Sequence, residues 1–209
     1  EQHGAGVNVV HLIPQGSLRR RVVGPGKRPP TPPELEQMKR LVARGMREGA
    51  WGMSTGLMYV PGAYATTKEI VALARVVAAH GGLYASHIRN ERDRLLESIE
   101  EALRIGQQAQ LPVHISHFKV VGKPNWGAVR LAAQRINRAR EAGQPVTADQ
   151  YPYLASSTSL EAMLLEPAVR AGGRKAMLAR LRDPQQQTQW RKQVADHLRM
   201  RGPIQIVSY

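Results

Sequence analysis

Hydrophobic positions along the chain follow two alternating periods. Five apolar runs have strand length: GVNVVHLIP (Gly6 to Pro14), AWGMSTGL (Ala50 to Leu57), LYASHI (Leu83 to Ile88), VHISHF (Val113 to Phe118) and VTADQYPY (Val146 to Tyr153). Such continuous runs suit strands buried on both faces. Between them the apolar residues take helical spacing: Leu35, Met38, Leu41, Val42 and Met46; then Ile70, Val71, Leu73, Ala74 and Val77; then Leu95, Leu96, Ile99, Ala102 and Leu103; then Val129, Leu131, Ala132, Ile136 and Ala139. Thr31 followed by Pro32 and Glu34 predicts a capping box at the start of the first of these helices, and Thr66 with Glu69 predicts another. Gly49, Gly81-Gly82 and Gly143 stand where helices should stop.

Strand and helix recur at roughly 30 residues, which is βαβ spacing and predicts a parallel sheet with right-handed crossovers. A doubly wound open sheet and part of a (β/α)8 barrel both fit. No Gly-x-Gly-x-x-Gly follows a strand, so a dinucleotide site has no support. Polar and ionisable residues gather instead at strand C-terminal ends: Ser54-Thr55, His87, His117, and Asp149 with Tyr151. A barrel keeps its active site there. From about Glu161 the pattern changes to helices with a polar connection, and PIQIVSY at the end reads as a strand.

Two of these strand ends share a frame. LYASHIRNE and VHISHFK both run apolar residues into Ser-His, then a hydrophobe, then a base, with His87 and His117 thirty residues apart (117 − 87 = 30). Strand alternation puts Leu83, Ala85 and His87 on one face, and Val113, Ile115 and His117 on one face. Both faces are expected inside a barrel, with the histidine at the rim. Imidazoles on adjacent parallel strands, about 5 Å apart, can point at one ion, and imidazole suits zinc and its neighbours. A lone histidine at a strand end is usually structural. On spacing alone the metal and structural readings of the matched pair stand level. His114 is expected on the opposite face against helices, and His11 inside a buried strand; both read as structural. His80 at a helix C-terminus suits the dipole.

The totals narrow the class. At 209 residues, with 42% hydrophobic and 22% charged, the chain has a soluble globular composition. No run approaches the roughly 18–20 apolar residues that cross a bilayer, and no signal-peptide pattern opens the chain. The absence of cysteine excludes thiolate metal sites within the chain and suits a cytoplasmic, reducing compartment. A net charge of +14 raises a nucleic-acid-binding module as an alternative. The bases are mostly scattered, however, and aromatics are only 5% with one Phe, so stacking platforms are scarce. An arginine-rich solvated surface is the favoured reading, and nucleic acid is not the expected partner.

Four segments carry a resemblance: GAWGMSTGLMYVPGAYATTKEI, GGLYASHIRNE, LPVHISHFKVVGKPNWG and VTADQYPYLASSTSL. Together they resemble the N-acyl-D-amino-acid deacylases (D-aminoacylases) of the amidohydrolase superfamily, from about Val7 to Leu160 and more loosely to Tyr209. The resemblance implies an incomplete metal-dependent (β/α)8 (TIM) barrel, about strands three to seven, over residues 1–160. Residues 161–209 would form a helical insertion and the start of a further strand. It implies zinc held by His87 and His117, Tyr151 at the scissile carbonyl, and Ser157 at the substrate carboxylate. Arg89 and Lys119 are candidates to attract that carboxylate, although a solvated or ion-paired role fits either at least as well. Without the resemblance, Tyr151 is equally a packing residue at the barrel mouth.

The departures are specific. The family's His-x-His pair and cysteine ligand have no counterpart here, and its catalytic aspartate would lie beyond Tyr209. The expected function is therefore zinc-dependent hydrolysis of the amide of N-acyl-D-amino acids, as part of a larger enzyme. An inactive fragment of such an enzyme is the alternative. Open barrel edges would offer self-association, and no membrane partner is expected.

Overall fold

Thr31 caps the first long helix in the computed structural model, which describes residues 4, 6–153 and 156–201. Its hydroxyl accepts from the Glu34 amide, and the Glu34 carboxylate accepts in return from the Thr31 amide at 2.8 Å. The predicted capping box therefore starts a helix over Pro32–Arg47 (α2), with Pro32 supplying no amide where none can be bonded. Before it come a strand over Leu12–Pro14 (β1) and a helix over Gln15–Val22 (α1). After it the chain alternates β2 (Gly52–Gly56), α3 (Thr67–Ala78), β3 (Leu83–His87), α4 (Leu95–Ala109), β4 (Val113–Ile115), α5 (Ala128–Glu141) and β5 (Val146–Ala148). Three helices follow: α6 (Leu160–Leu164), α7 (Gly173–Arg182) and α8 (Pro184–Arg201).

The five strands form one sheet in the order β1-β2-β3-β4-β5, every pair parallel. A doubly wound sheet reverses its strand order at a switch point. No reversal occurs here, so of the two architectures the arc of a (β/α) barrel is the one adopted. The core lies between the sheet and α2–α5. Met38, Val42, Met53, Ile70, Leu73, Tyr84, Leu95, Ile99, Ile105 and Ile115 are all fully or almost fully buried there. Each such aliphatic burial is worth about 1.5–3 kcal/mol relative to exposure.

The first strand corrects an expectation. Only Leu12–Pro14 of the apolar run is strand, and Val7, Val9 and Val10 are 75%, 56% and 53% exposed. The partner strand explains this. The Trp51 amide donates to His11 O, but upstream of it Gly49 takes φ 103° and turns the chain out of line, so residues 7–10 face no ladder. His11 is accordingly exposed rather than buried. The fifth strand stops at Ala148 rather than running to Tyr153. The strand read in PIQIVSY lies outside the described residues.

Helix α1 has no hydrophobic signature because much of what it buries is polar. Gln15 and Arg19 are fully buried, and the Arg19 Nε donates to Glu69 Oε1 at 3.1 Å while Gln15 Nε2 donates to the same oxygen at 3.2 Å. The second predicted capping box is therefore half formed. Thr66 accepts from the Glu69 amide at 3.2 Å, but the Glu69 carboxylate turns to Arg19 instead of back to Thr66. Burial pushes the Glu69 carboxyl above its usual range against the pull of Arg19.

Two substitutions test these links. Thr31→Ala should lower stability by about 1 kcal/mol, read as a shift in urea midpoint. Glu69→Ala leaves a buried guanidinium unpaired and should cost about 3–5 kcal/mol in the same measurement.

Candidate metal centre and cleft

Register decides which face each strand residue takes. Tyr84 pairs with Val113, Ala85 with His114, and Ser86 with Ile115. Val113 packs on α4, where a Cβ added at Gly106 would strike its Cγ2. Tyr84, Val113 and Ile115 thus look toward the helices, while Ala85 and His114 look to the opposite, inner face. His87 follows Ala85 onto that inner face, as alternation predicts. His114 bonds across it, to Thr147 Oγ1 and to Asp149 Oδ2, each at 2.8 Å.

For β4 the expected faces are reversed. Val113 and Ile115 lie against helices, not inside, and His114 is the inner residue. Simple alternation would have carried His117 outward with them. It does not, because β4 ends at Ile115 and His117 takes a positive φ of 41°. That conformation is costly for a residue with a Cβ and needs support. Asp149 gives it: Oδ1 accepts from the His117 amide, and the Asp149 carbonyl accepts from the Phe118 amide at 2.8 Å.

The turn swings His117 back to His87. Nε2 of His117 lies 2.8 Å from Nδ1 of His87, with the rings nearly perpendicular at 73° and centroids 4.4 Å apart. Glu91, only 8% exposed, brings Oε1 to 2.9 Å from His117 Nδ1 and 2.7 Å from Lys119 Nζ. His87, Glu91 and His117 each offer a ligand atom within 4.8 Å of the others. Among the described residues the His87 Nε2 has no partner, and it is buried. Burial, chiefly, with His117 and Lys119 adding and Glu91 opposing, pushes the His87 imidazole down to about 4, so at neutral pH the ring is neutral and one of its nitrogens carries a lone pair. Glu91 sits below its usual range because the hydrogen bonds from His117 and Lys119 outweigh its burial.

These groups line a cleft of about 1050 Å³ together with Tyr151, Ser157 and Arg89. The segment after β5 roofs it. Tyr64 Oη donates to Pro167 O at 2.6 Å, Arg170 Nη2 to Met58 O at 2.8 Å, and Arg92 Nη2 to Met163 O at 3.2 Å. Tyr151 is half-buried with Lys119 Nζ 5.6 Å from its ring centroid, and Ser157 is exposed on the cleft wall. Arg89 is fully engaged. Its Nε and Nη2 fork onto Glu101 at 2.8 and 2.9 Å, and Nη1 and Nη2 donate to the carbonyls of Ala63 and Ala65, each at 2.9 Å. Glu91 ends the segment LYASHIRNE but has no periodic or motif signal of its own; only the fold brings it to His117.

No protein-family model matches the sequence. A D-aminoacylase from Alcaligenes xylosoxydans xylosoxydans is 42% identical over 157 residues, 75% of this chain and 32% of that protein. Over about three quarters of its length the chain is homologous to N-acyl-D-amino-acid deacylases. An N-acyl-D-glutamate deacylase from the same organism is 40% identical over 154 residues, 74% of this chain and 32% of its own length. The chain thus spans about a third of the length of these curated deacylases. Among solved structures, the N-acyl-D-glutamate deacylase of Bordetella bronchiseptica, complexed with zinc and a phosphonate mimic of the tetrahedral intermediate, matches with TM-score 0.68 and 39% identity over 70% of this chain and 31% of that one. A D-aminoacylase described as defining a novel subset of amidohydrolases matches with TM-score 0.71 and 38% identity over 76% of this chain and 34% of that one.

The cleft wall makes a pH prediction. Burial pushes the Glu101 carboxyl up, but the hydrogen bonds and charge of Arg89 outweigh it and hold it below the usual range. A carboxyl depressed in the folded state adds stability that is complete above its unfolded pKa of about 4.3 and is lost as pH falls toward the folded value. Glu101→Gln should therefore flatten the acid side of the stability–pH curve, checked by thermal melts between pH 7 and pH 3.

Proposed function

We propose that this chain supplies part of the active site of a zinc-dependent hydrolase, which cleaves the amide bond of N-acyl-D-amino acids to a D-amino acid and a carboxylate. The observation that carries this reading is the convergence of His87 and His117 at 2.8 Å in one cleft with Tyr151 and Lys119. The two imidazoles fit zinc, which readily takes imidazole nitrogen. The zinc and phosphonate in the related Bordetella structure support the same assignment.

In this reading His87 and His117 hold the metal, which when bound polarises the acyl carbonyl and brings the pKa of its water to roughly 7. Tyr151 donates its phenol hydrogen to the carbonyl oxygen as negative charge develops there. Ser157 and Lys119 hold the substrate carboxylate, one by a hydrogen bond and one by charge. Arg89 adds positive field from the wall, its guanidinium kept in place by Glu101. Residues 1–160 are the barrel part and 161–209 the helical insertion with the start of a further strand, of which the described helices after β5 cover the cleft. β1 and β5 each leave one edge unpaired among the described residues, and pairing there with another strand, including one from a second copy, belongs to the reading. A cytoplasmic location suits a chain without cysteine.

Zinc content after dialysis tests the metal arm. His87→Ala and His117→Ala should each drop it from stoichiometric to background, and unchanged content would sink the assignment. Hydrolysis of N-acetyl-D-methionine in zinc-supplemented buffer tests the reaction. In the active enzyme Tyr151→Phe should lower kcat by about 10²–10³-fold with KM nearly unchanged. Equal cleavage of the L-isomer would remove the D-specificity, and zinc retention without hydrolysis would favour the inactive reading of this chain.

A further inference from the structure

We infer that Glu91 is a positioning residue rather than a metal ligand: it holds His117 in the tautomer with the proton on Nδ1, so that Nε2 presents its lone pair to the cation, and it pins Lys119 beside the same ring. The inference rests on the zinc reading above for its purpose, but its geometry stands independently.

Two groups neighbour His117 Nδ1. Glu91 Oε1 lies 2.9 Å from it and Lys119 Nζ 3.1 Å from it. One neutral nitrogen cannot serve both. An unprotonated Nδ1 would set its lone pair against an anionic oxygen at hydrogen-bond distance, which is repulsive. A protonated Nδ1 makes a charge-assisted bond to that oxygen instead. Lys119 loses little by this, since its ammonium already donates to Glu91 Oε1 at 2.7 Å and to the His117 carbonyl at 3.3 Å. The Nδ1–H tautomer is thereby selected, and Nε2 is left as acceptor toward His87.

The same geometry argues against ligation by Glu91. The two nitrogens of an imidazole point away from each other, so a carboxylate bonded at Nδ1 stands on the side of the ring away from Nε2. Its Oε1 is already taken by two donors. The backbone holds it there as well, for the Val121 amide donates to the Glu91 carbonyl at 2.7 Å and ties this loop to the one after His117. A carboxylate that orients a ligating histidine through its other nitrogen typically changes metal affinity by 10–100-fold when removed.

The tautomer is read directly in metal-free protein by long-range ¹H–¹⁵N correlation, with the His117 signals assigned by their loss in His117→Gln. Nδ1–H is expected in the wild type and in Glu91→Gln, whose amide oxygen still accepts. Glu91→Ala should shift His117 toward Nε2–H. Zinc titration against a chromophoric chelator should then show Glu91→Ala about 10–100-fold weaker than wild type and Glu91→Gln nearer to it. An Nε2–H tautomer in the wild type would overturn the inference. So would equal loss of zinc in both variants with the tautomer unchanged, which is the signature of a direct ligand. If the tautomers behave as expected and the wild type takes up no zinc, the orienting role stands and the metal reading is what fails.

Discussion

At His117 the chain leaves β4 through a positive φ, and the cleft chemistry follows from that turn. A strand continued by one more pair of residues would have sent the imidazole toward the helices with Val113 and Ile115. The left-handed turn costs conformational energy, and Asp149 offsets it by accepting from the amide of His117 and, through its carbonyl, from Phe118. Asp149 can do so because β5 pairs with β4 in parallel register, Ile115 opposite Ala148. The His87–His117 contact thus depends on three adjacent strands, of which only two carry the histidines.

Charge is organised by the same economy throughout the domain. Three carboxylates with little or no exposure each hold a base from a distant part of the chain: Glu69 holds Arg19, Glu101 holds Arg89, and Glu91 holds Lys119. Each pairing gives a cation a counter-charge where solvent screens it little, in a protein whose formal charge is +14. Such pairs contribute less to net stability than to position, because desolvation offsets most of the attraction. Their consequence here is geometric: α1 is tied to α3, the loop after β3 to α4, and the loop after His117 to the loop after His87.

Much of this was legible beforehand, and the failures have physical causes. Helices α2 to α5 announced themselves through apolar periodicity and through Thr31 and Thr66. Helix α1 did not, since Gln15 and Arg19 are buried as polar groups and leave no stripe. The run Val7 to Val10 read as buried strand because composition cannot report whether a partner lies opposite. The faces of β4 were assigned the wrong way round because alternation holds only while the strand lasts, and β4 lasts three residues.

The sequence by itself determined the alternation of strands with helices α2 to α5, the parallel sheet, and the matched Ser-His pair at neighbouring strand ends, because periodicity and capping are local properties. Periodicity alone leaves a barrel arc and a doubly wound sheet both open, since they share the same local pattern and differ only in which strands pair; the family resemblance implies the barrel, and the unreversed strand order bears it out. The meeting of His87 with His117, and the arrival of Glu91 and Lys119 beside it, needed the tertiary structure. Those contacts depend on one backbone angle and on groups brought together across strands, and neither leaves a period in the sequence.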